Sequence, residues 1–190
     1  MPGARAALRE RDFRLFWLSL LSEGLALSMA TVAVDLVDLP ADGDPLDLGL
    51  VGLAEFLPLP LLALPAGHLA DRVSRRAVLA AARLIDTAVL LALLGVTVAG
   101  PDQVWPFLVL AFCTGVASAV GAPAGRALTP SLVPEELLAA AFAVRSVAFQ
   151  AAVVVGPAVG GLLFAVRPEL VYGTGALLTL VSFAFILRLT

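Results

Sequence analysis

Gly67-His68-Leu69-Ala70-Asp71-Arg72-Val73-Ser74-Arg75-Arg76 is a short charged stretch between two long apolar runs, and its reading decides the fold. So few residues between two hydrophobic segments force those segments to be antiparallel neighbours. The stretch holds three of the chain's twelve basic residues, and all twelve are arginine. Gly67 permits a tight backbone turn. Asp71 offers a carboxylate to helix amino termini, and Arg72, Arg75 and Arg76 mark one side of a membrane.

Composition widens that reading to the whole chain. Of its 190 residues 61% are hydrophobic and 14% charged, with a mean hydropathy of +1.01, whereas soluble domains carry about 25% charged residues. So little polar surface cannot cover a soluble core, and the lipid bilayer is the expected surrounding. One cysteine, Cys113, excludes an internal disulfide and a cysteine metal site, and a single histidine, His68, leaves no metal cluster. No metal and no cofactor is expected. The sequence has no G-x-S-x-G paired with a distant histidine and no H-E-x-x-H, so an enzyme is not expected. No basic surface interleaved with aromatics suggests nucleic acid. Residues 1–14 are charged and lead into an apolar run too long for a signal peptide.

A helix needs about 20 apolar residues to cross the hydrocarbon core. Six runs meet that length: Leu15–Leu36, Leu48–His68, Ala77–Ala99, Val104–Gly125, Leu137–Val166 and Leu170–Leu189. The expectation is an all-α membrane protein, with a cytoplasmic segment over 1–14 and one bundle of six transmembrane helices over 15–190. The fifth run is long for one crossing, and Pro157 offers a kink. Charge sorts the connections. Arg5, Arg9, Arg11 and Arg14 precede the first helix, Arg126 opens the fourth loop and Arg188 closes the sixth helix. Asp38, Asp42, Asp44, Asp47 and Asp102 occupy the first and third loops, with Arg167 as the exception in the fifth. Both termini are therefore expected in the cytoplasm. Phe13, Phe16, Trp17, Trp105 and Phe107 suit either interfacial anchoring or packing, and Gly121/Gly125 and Gly156/Gly160 suit close helix approach.

Charges inside such spans are costly and mark functional candidates. Arg83 and Asp86 stand three apart on one helix face, where they either neutralise each other or act. Arg145 either snorkels to headgroups or faces inward. Glu23 lies near the middle of the first helix with no basic residue three or four positions away. A proton-coupled carrier needs a carboxyl that changes protonation as access alternates, so Glu23 is the leading candidate for coupling or substrate contact. Glu55 follows, with Asp86 and Arg145 behind.

The G-x-L-A-D-R-x-x-R-R pattern of Gly67, Leu69, Asp71, Arg72, Arg75 and Arg76 resembles the loop between the second and third helices of major facilitator superfamily transporters, with Ser74 where many members carry glycine. Phe13-Arg14-Leu15-Phe16-Trp17, Leu50-Val51-Gly52-Leu53 with Phe56-Leu57-Pro58, and Gly121-Ala122-Pro123-Ala124 resemble its bacterial exporters of the enterobactin and macrolide efflux type. Gly156, Pro157, Gly160 and Gly161 match part of the fifth-helix signature of exporters, with Ala152 in place of a further glycine. The resemblance implies a proton-driven exporter of small organic molecules (drugs, antibiotics or siderophores) in a bacterial plasma membrane. It implies that the loop helps latch the cytoplasmic side against a second half, and that the Gly-Pro element serves export direction; topology signalling and plain packing are the respective alternatives. Such transporters have twelve helices, so the chain reads as one amino-terminal half whose partner is a carboxy-terminal six-helix half. The competing reading is a half-length, non-transporting membrane subunit that pairs with another six-helix chain.

Overall fold

A computed structural model describes residues 2–37, 45–62, 73–100 and 104–189. Gly67, His68, Leu69, Asp71 and Arg72 lie outside them. Every regular element among the described residues is helical: α1 (Pro2–Ala7), α2 (Arg11–Val37), α3 (Pro45–Phe56), α4 (Arg75–Ala99), α5 (Trp105–Leu128), α6 (Leu138–Val166) and α7 (Pro168–Leu187), with 3₁₀ turns at Thr129–Ser131 and Glu135–Leu137. Among the described residues five helices, α2, α4, α5, α6 and α7, are long and apolar enough to cross a membrane. The protein is thus an all-α, multi-pass membrane protein.

The second expected span, Leu48–His68, is the one not established. It is described only to Leu62, as a shorter apolar helix, Gly49–Leu62. Helix α3 is interrupted at Leu57, after which residues 58–62 are again helical. Pro58 explains the interruption: it has no N–H to donate, and its ring crowds the carbonyl one turn earlier.

Local chemistry sets the other ends. Ser74, the departure from the glycine of the loop pattern, is the amino-terminal cap of α4, its hydroxyl accepting from the Ala77 N–H at 3.2 Å. At the far end of α4, Gly100 adopts a left-handed conformation with φ of 71° and donates its N–H to the Thr97 carbonyl. Pro134 does not open the helix that follows it. It instead precedes a 3₁₀ turn that holds Glu135 and Glu136, and α6 begins at Leu138.

Helix α2 packs along α6 and α7, α4 along α5 and α7, and α3 chiefly on α5. The interior has two apolar cores. One, at the end carrying both termini, gathers Phe13, Phe16, Leu79, Ala124, Val144 and Ile186. The other, at the opposite end, gathers Ala26, Met29, Leu90, Phe107, Val171 and Tyr172. Between them in sequence on every contributing helix lie the buried polar side chains Ser19, Arg83, Asp86, Thr87, Thr179 and Ser182. Most buried polar side chains thus lie in a middle layer between the two cores, with Thr129 at the end carrying the termini.

Small residues make these seams possible. A Cβ on Gly156 would stand 2.5 Å from Ser28 Cβ, and one on Gly160 would stand 2.9 Å from Met29 Cα, so α6 touches the backbone of α2 at both. A Cβ on Gly121 would approach Ala82 Cβ to 3.1 Å, drawing α5 onto α4. Gly115 faces the Glu55 carbonyl and Pro58, so it seats α3 on α5. Phe13 and Phe16 are fully buried, and Trp17 donates its indole N–H to the Val144 carbonyl at 2.9 Å. These aromatics pack against the bundle. Trp105 is exposed, while Phe107 is buried.

Candidate functional site

The polar layer centres on Arg83 of α4. Its Nη1 donates to Glu23 Oε1 of α2 and to Asp86 Oδ2, the latter at 3.0 Å. All three side chains are removed from the surface, at 5%, 18% and 2% exposure in the order Arg83, Glu23, Asp86. The lone-carboxyl reading of Glu23 is therefore corrected. Its cation comes from another helix, sixty positions away in sequence, where no count along α2 could find it.

Asp86 meets Arg83 because a three-residue separation puts both on one helix face. Glu23 meets them because α2 and α4 both flank α7. Beside the triad, the Thr87 hydroxyl donates to Thr179 Oγ1 of α7 at 2.9 Å, and Ser19 and Ser182 share a hydrogen bond at 2.7 Å. These pairs tie α7 to both helices that carry the triad, and the sequence reading did not single them out.

The triad is underfilled. Arg83 Nε and Asp86 Oδ1 are buried without a hydrogen-bond partner among the described residues. Two carboxylates face one guanidinium, so with all three ionised the cluster carries one excess negative charge, which one proton would neutralise. In a medium of low dielectric that difference is expensive in either direction.

Arg145 does not hydrogen-bond to the triad, but it lies close enough to act electrostatically on Glu23. Its Nη1 donates to the Gly125 carbonyl and to Thr129 Oγ1, both at 3.1 Å, and its guanidinium lies 6.0 Å from the Phe16 ring centre. It thereby holds the last turn of α5, whose carbonyls lack helical donors. Two arginines of the loop pattern do the same: Arg75 donates to Ala127 O at 2.8 Å, and Arg76 donates to Leu187 O. Positive charge at these carboxy-terminal ends also complements the helix dipole. In the fifth-helix pattern Gly156 and Gly160 pack on α2, but a Cβ on Gly161 would meet nothing within 4 Å, and Pro157 sits half-buried within a helix that continues past it.

Glu55 is separate from the triad. It lies on α3 in the wall of a chamber of about 180 Å³ bounded by α2, α3, α4 and α5. Leu27 and Leu90, which also line it, each stand one helical turn beyond a triad carboxylate, Glu23 and Asp86. The chamber thus opens on the side of the triad away from the termini.

The sequence matches the transmembrane secretion effector family over residues 3–190. A segment of 124 residues is 32% identical to Macrolide efflux protein A of Streptococcus pyogenes, covering 65% of this chain and 31% of that protein. The same identity and coverage hold for Macrolide efflux protein A of Streptococcus pyogenes serotype M6. The matched part is thus about a third of the length of these relatives. That match spans nearly the whole chain, and the chain belongs to the transmembrane secretion effector family of major facilitator transporters.

Proposed function

We propose that this chain forms the amino-terminal, six-helix wall of a proton-coupled exporter of small organic molecules in a bacterial plasma membrane. The observation that carries the reading is the buried Glu23–Arg83–Asp86 triad, with its two carboxylates on different helices around one guanidinium. A proton taken up there neutralises the excess charge, and its release restores it. Such a change of charge in a dry layer can drive a switch between two packings of the helices.

Alternating access rocks one bundle against another around a site at their interface. The second wall would come from a carboxy-terminal six-helix partner. Asp71 and Arg72 would latch the cytoplasmic side against it, while Arg75 and Arg76 hold the ends of α5 and α7. The test is transport by proteoliposomes containing the bundle with its partner, under an imposed proton gradient, against a panel of dyes and antibiotics. Saturable, gradient-dependent movement is expected; movement that ignores the gradient would leave an exporter without proton coupling.

Orientation is tested separately. Reporters fused after Arg76 and after Arg188 are expected to read cytoplasmic, and those within residues 38–47 and at Asp102 external. A cytoplasmic signal from Asp42 would contradict both the six-helix arrangement and the proposed position of the termini.

A further inference from the structure

We propose that the outward face of α6 around Gln150 is the docking surface for a helix of the carboxy-terminal half, with Gln150 hydrogen-bonding across the seam. Helix geometry fixes where the side chain points. Ala148 and Ala152, two positions to either side, are buried, and a Cβ on Gly24 of α2 would stand 2.7 Å from Ala152 Cβ. A step of two residues turns a helix by about 200°, so Gln150 points away from α2, and it is exposed. The same contact fixes its depth. Ala152 lies beside Gly24, so Gln150 stands near the level of Glu23, around the middle of the 29-residue α6.

An amide at that depth cannot be left to lipid. The Gln150 side chain makes no hydrogen bond among the described residues, so its donors and its carbonyl are unmet. Hydrocarbon supplies no partner, and an unpaired amide there is costly. Polar side chains in spans accordingly face protein or a water-filled cavity. The four residues one turn away on the same face decide between the two. They are Ser146, Val147, Val153 and Val154, all exposed. The Ser146 hydroxyl donates to Phe142 O at 3.0 Å, so it offers a neighbour only lone pairs. A water-filled cavity would wet three valines, whereas a neighbouring helix would bury them. Each valine is nearly fixed at χ1 in a helix, so packing them costs little side-chain entropy. An apolar ridge with one amide at its centre suits a helix seam in a membrane, where packing and interhelical hydrogen bonds hold partners together.

The occupant is a helix that presents a hydrogen-bonding side chain at mid-depth. No described helix of this chain covers the face, since Gln150 and its four neighbours all remain exposed. The matched segment is about a third of the length of Macrolide efflux protein A, so such relatives carry ample further chain for a helix of this kind. The face also lies at the depth of Glu23, where the second wall proposed above would meet this one. The assignment rests on that two-half reading, and it names the face and the residue through which the halves meet.

The experiment compares vesicles holding the chain with its carboxy-terminal partner and vesicles holding the chain alone. A nitroxide is placed at Gln150→Cys in a Cys113→Ala background, and a control nitroxide at Leu177→Cys, an α7 position 61% exposed. Relaxation by oxygen reports lipid, and relaxation by a water-soluble nickel chelate reports water. With the partner present the Gln150→Cys label is expected to lose access to both reagents, while the Leu177→Cys label keeps its oxygen access. Gln150→Leu should weaken association of the halves about three- to tenfold, as the loss of one interhelical hydrogen bond would, read by energy transfer between them. It should leave unfolding of the chain alone unchanged, because the side chain hydrogen-bonds to nothing described within it. In the pair, oxygen reaching the Gln150→Cys label would mean lipid, and nickel reaching it would mean a water-filled path. Magnetic coupling between labels on two copies would mean a face that pairs with itself. Each of these would overturn the assignment alone, as would association unaltered by Gln150→Leu. Halves that do not associate at all would overturn the two-half reading with it.

Discussion

Arg83→Met is expected to destabilise the purified bundle by about 3–5 kcal/mol, the usual effect of removing one partner from a buried ion pair. Arg83 pairs with both Glu23 and Asp86, and those carboxylates are 18% and 2% exposed. Methionine keeps the bulk and removes the charge, so the two acids are left facing each other in a dry layer. The same reasoning predicts rescue. Adding Glu23→Gln and Asp86→Asn removes both orphaned charges and should restore most of the loss, since a neutral replacement of a whole buried cluster is often tolerated. Chemical unfolding in detergent measures both changes. An Arg83→Met protein as stable as the parent would show that the triad is not a coupled electrostatic unit.

Gly160→Leu is expected to cost at the upper end of the roughly 1–3 kcal/mol that overpacking brings. Its Cβ would stand 2.9 Å from Met29 Cα and 3.0 Å from Met29 O, and backbone atoms cannot rotate away as a side chain can. Helix α6 would have to lift off α2. The neighbouring Gly161 supplies the control, because nothing lies within 4 Å of the Cβ it would carry. In the same bundle, Gly161→Leu should stay within about 0.5 kcal/mol of the parent. Equal losses from the two substitutions, read by the same unfolding measurement, would mean that the seam does not depend on the α2–α6 approach.

How much of this was legible in the sequence depended on the range of the interaction. Runs of apolar residues located the long helices to within a few positions, because bilayer thickness imposes length directly on sequence. Pairs on one helix face were legible too, so Arg83 and Asp86 were matched from their spacing. Glu23 was singled out by its depth, but its partner was not, because sixty residues of chain had to fold before Arg83 could reach it. The Ser19–Ser182 and Thr87–Thr179 bonds were hidden for the same reason, as both cross between helices. The spacing of Gly156 and Gly160 announced a close approach without saying to which helix. Arg145 was left between snorkelling and an inward role; its donation to the end of α5 required knowing where that helix stops. The chamber at Glu55 needs walls from four helices and has no signature in any one of them. The second crossing stayed open because its last six residues, 63–68, lie outside those described.

Charge in the triad is proposed to couple proton movement to export. The most direct measurement compares two activities of the Glu23→Gln transporter in proteoliposomes: substrate exchange at equal pH, and substrate accumulation driven by a pH gradient. Exchange needs only a folded carrier with its site intact, whereas accumulation needs a carboxyl that takes up and releases a proton. The account predicts that exchange persists near the parental rate while gradient-driven accumulation is lost. Accumulation at the parental rate in Glu23→Gln would contradict it and remove the triad from the coupling mechanism.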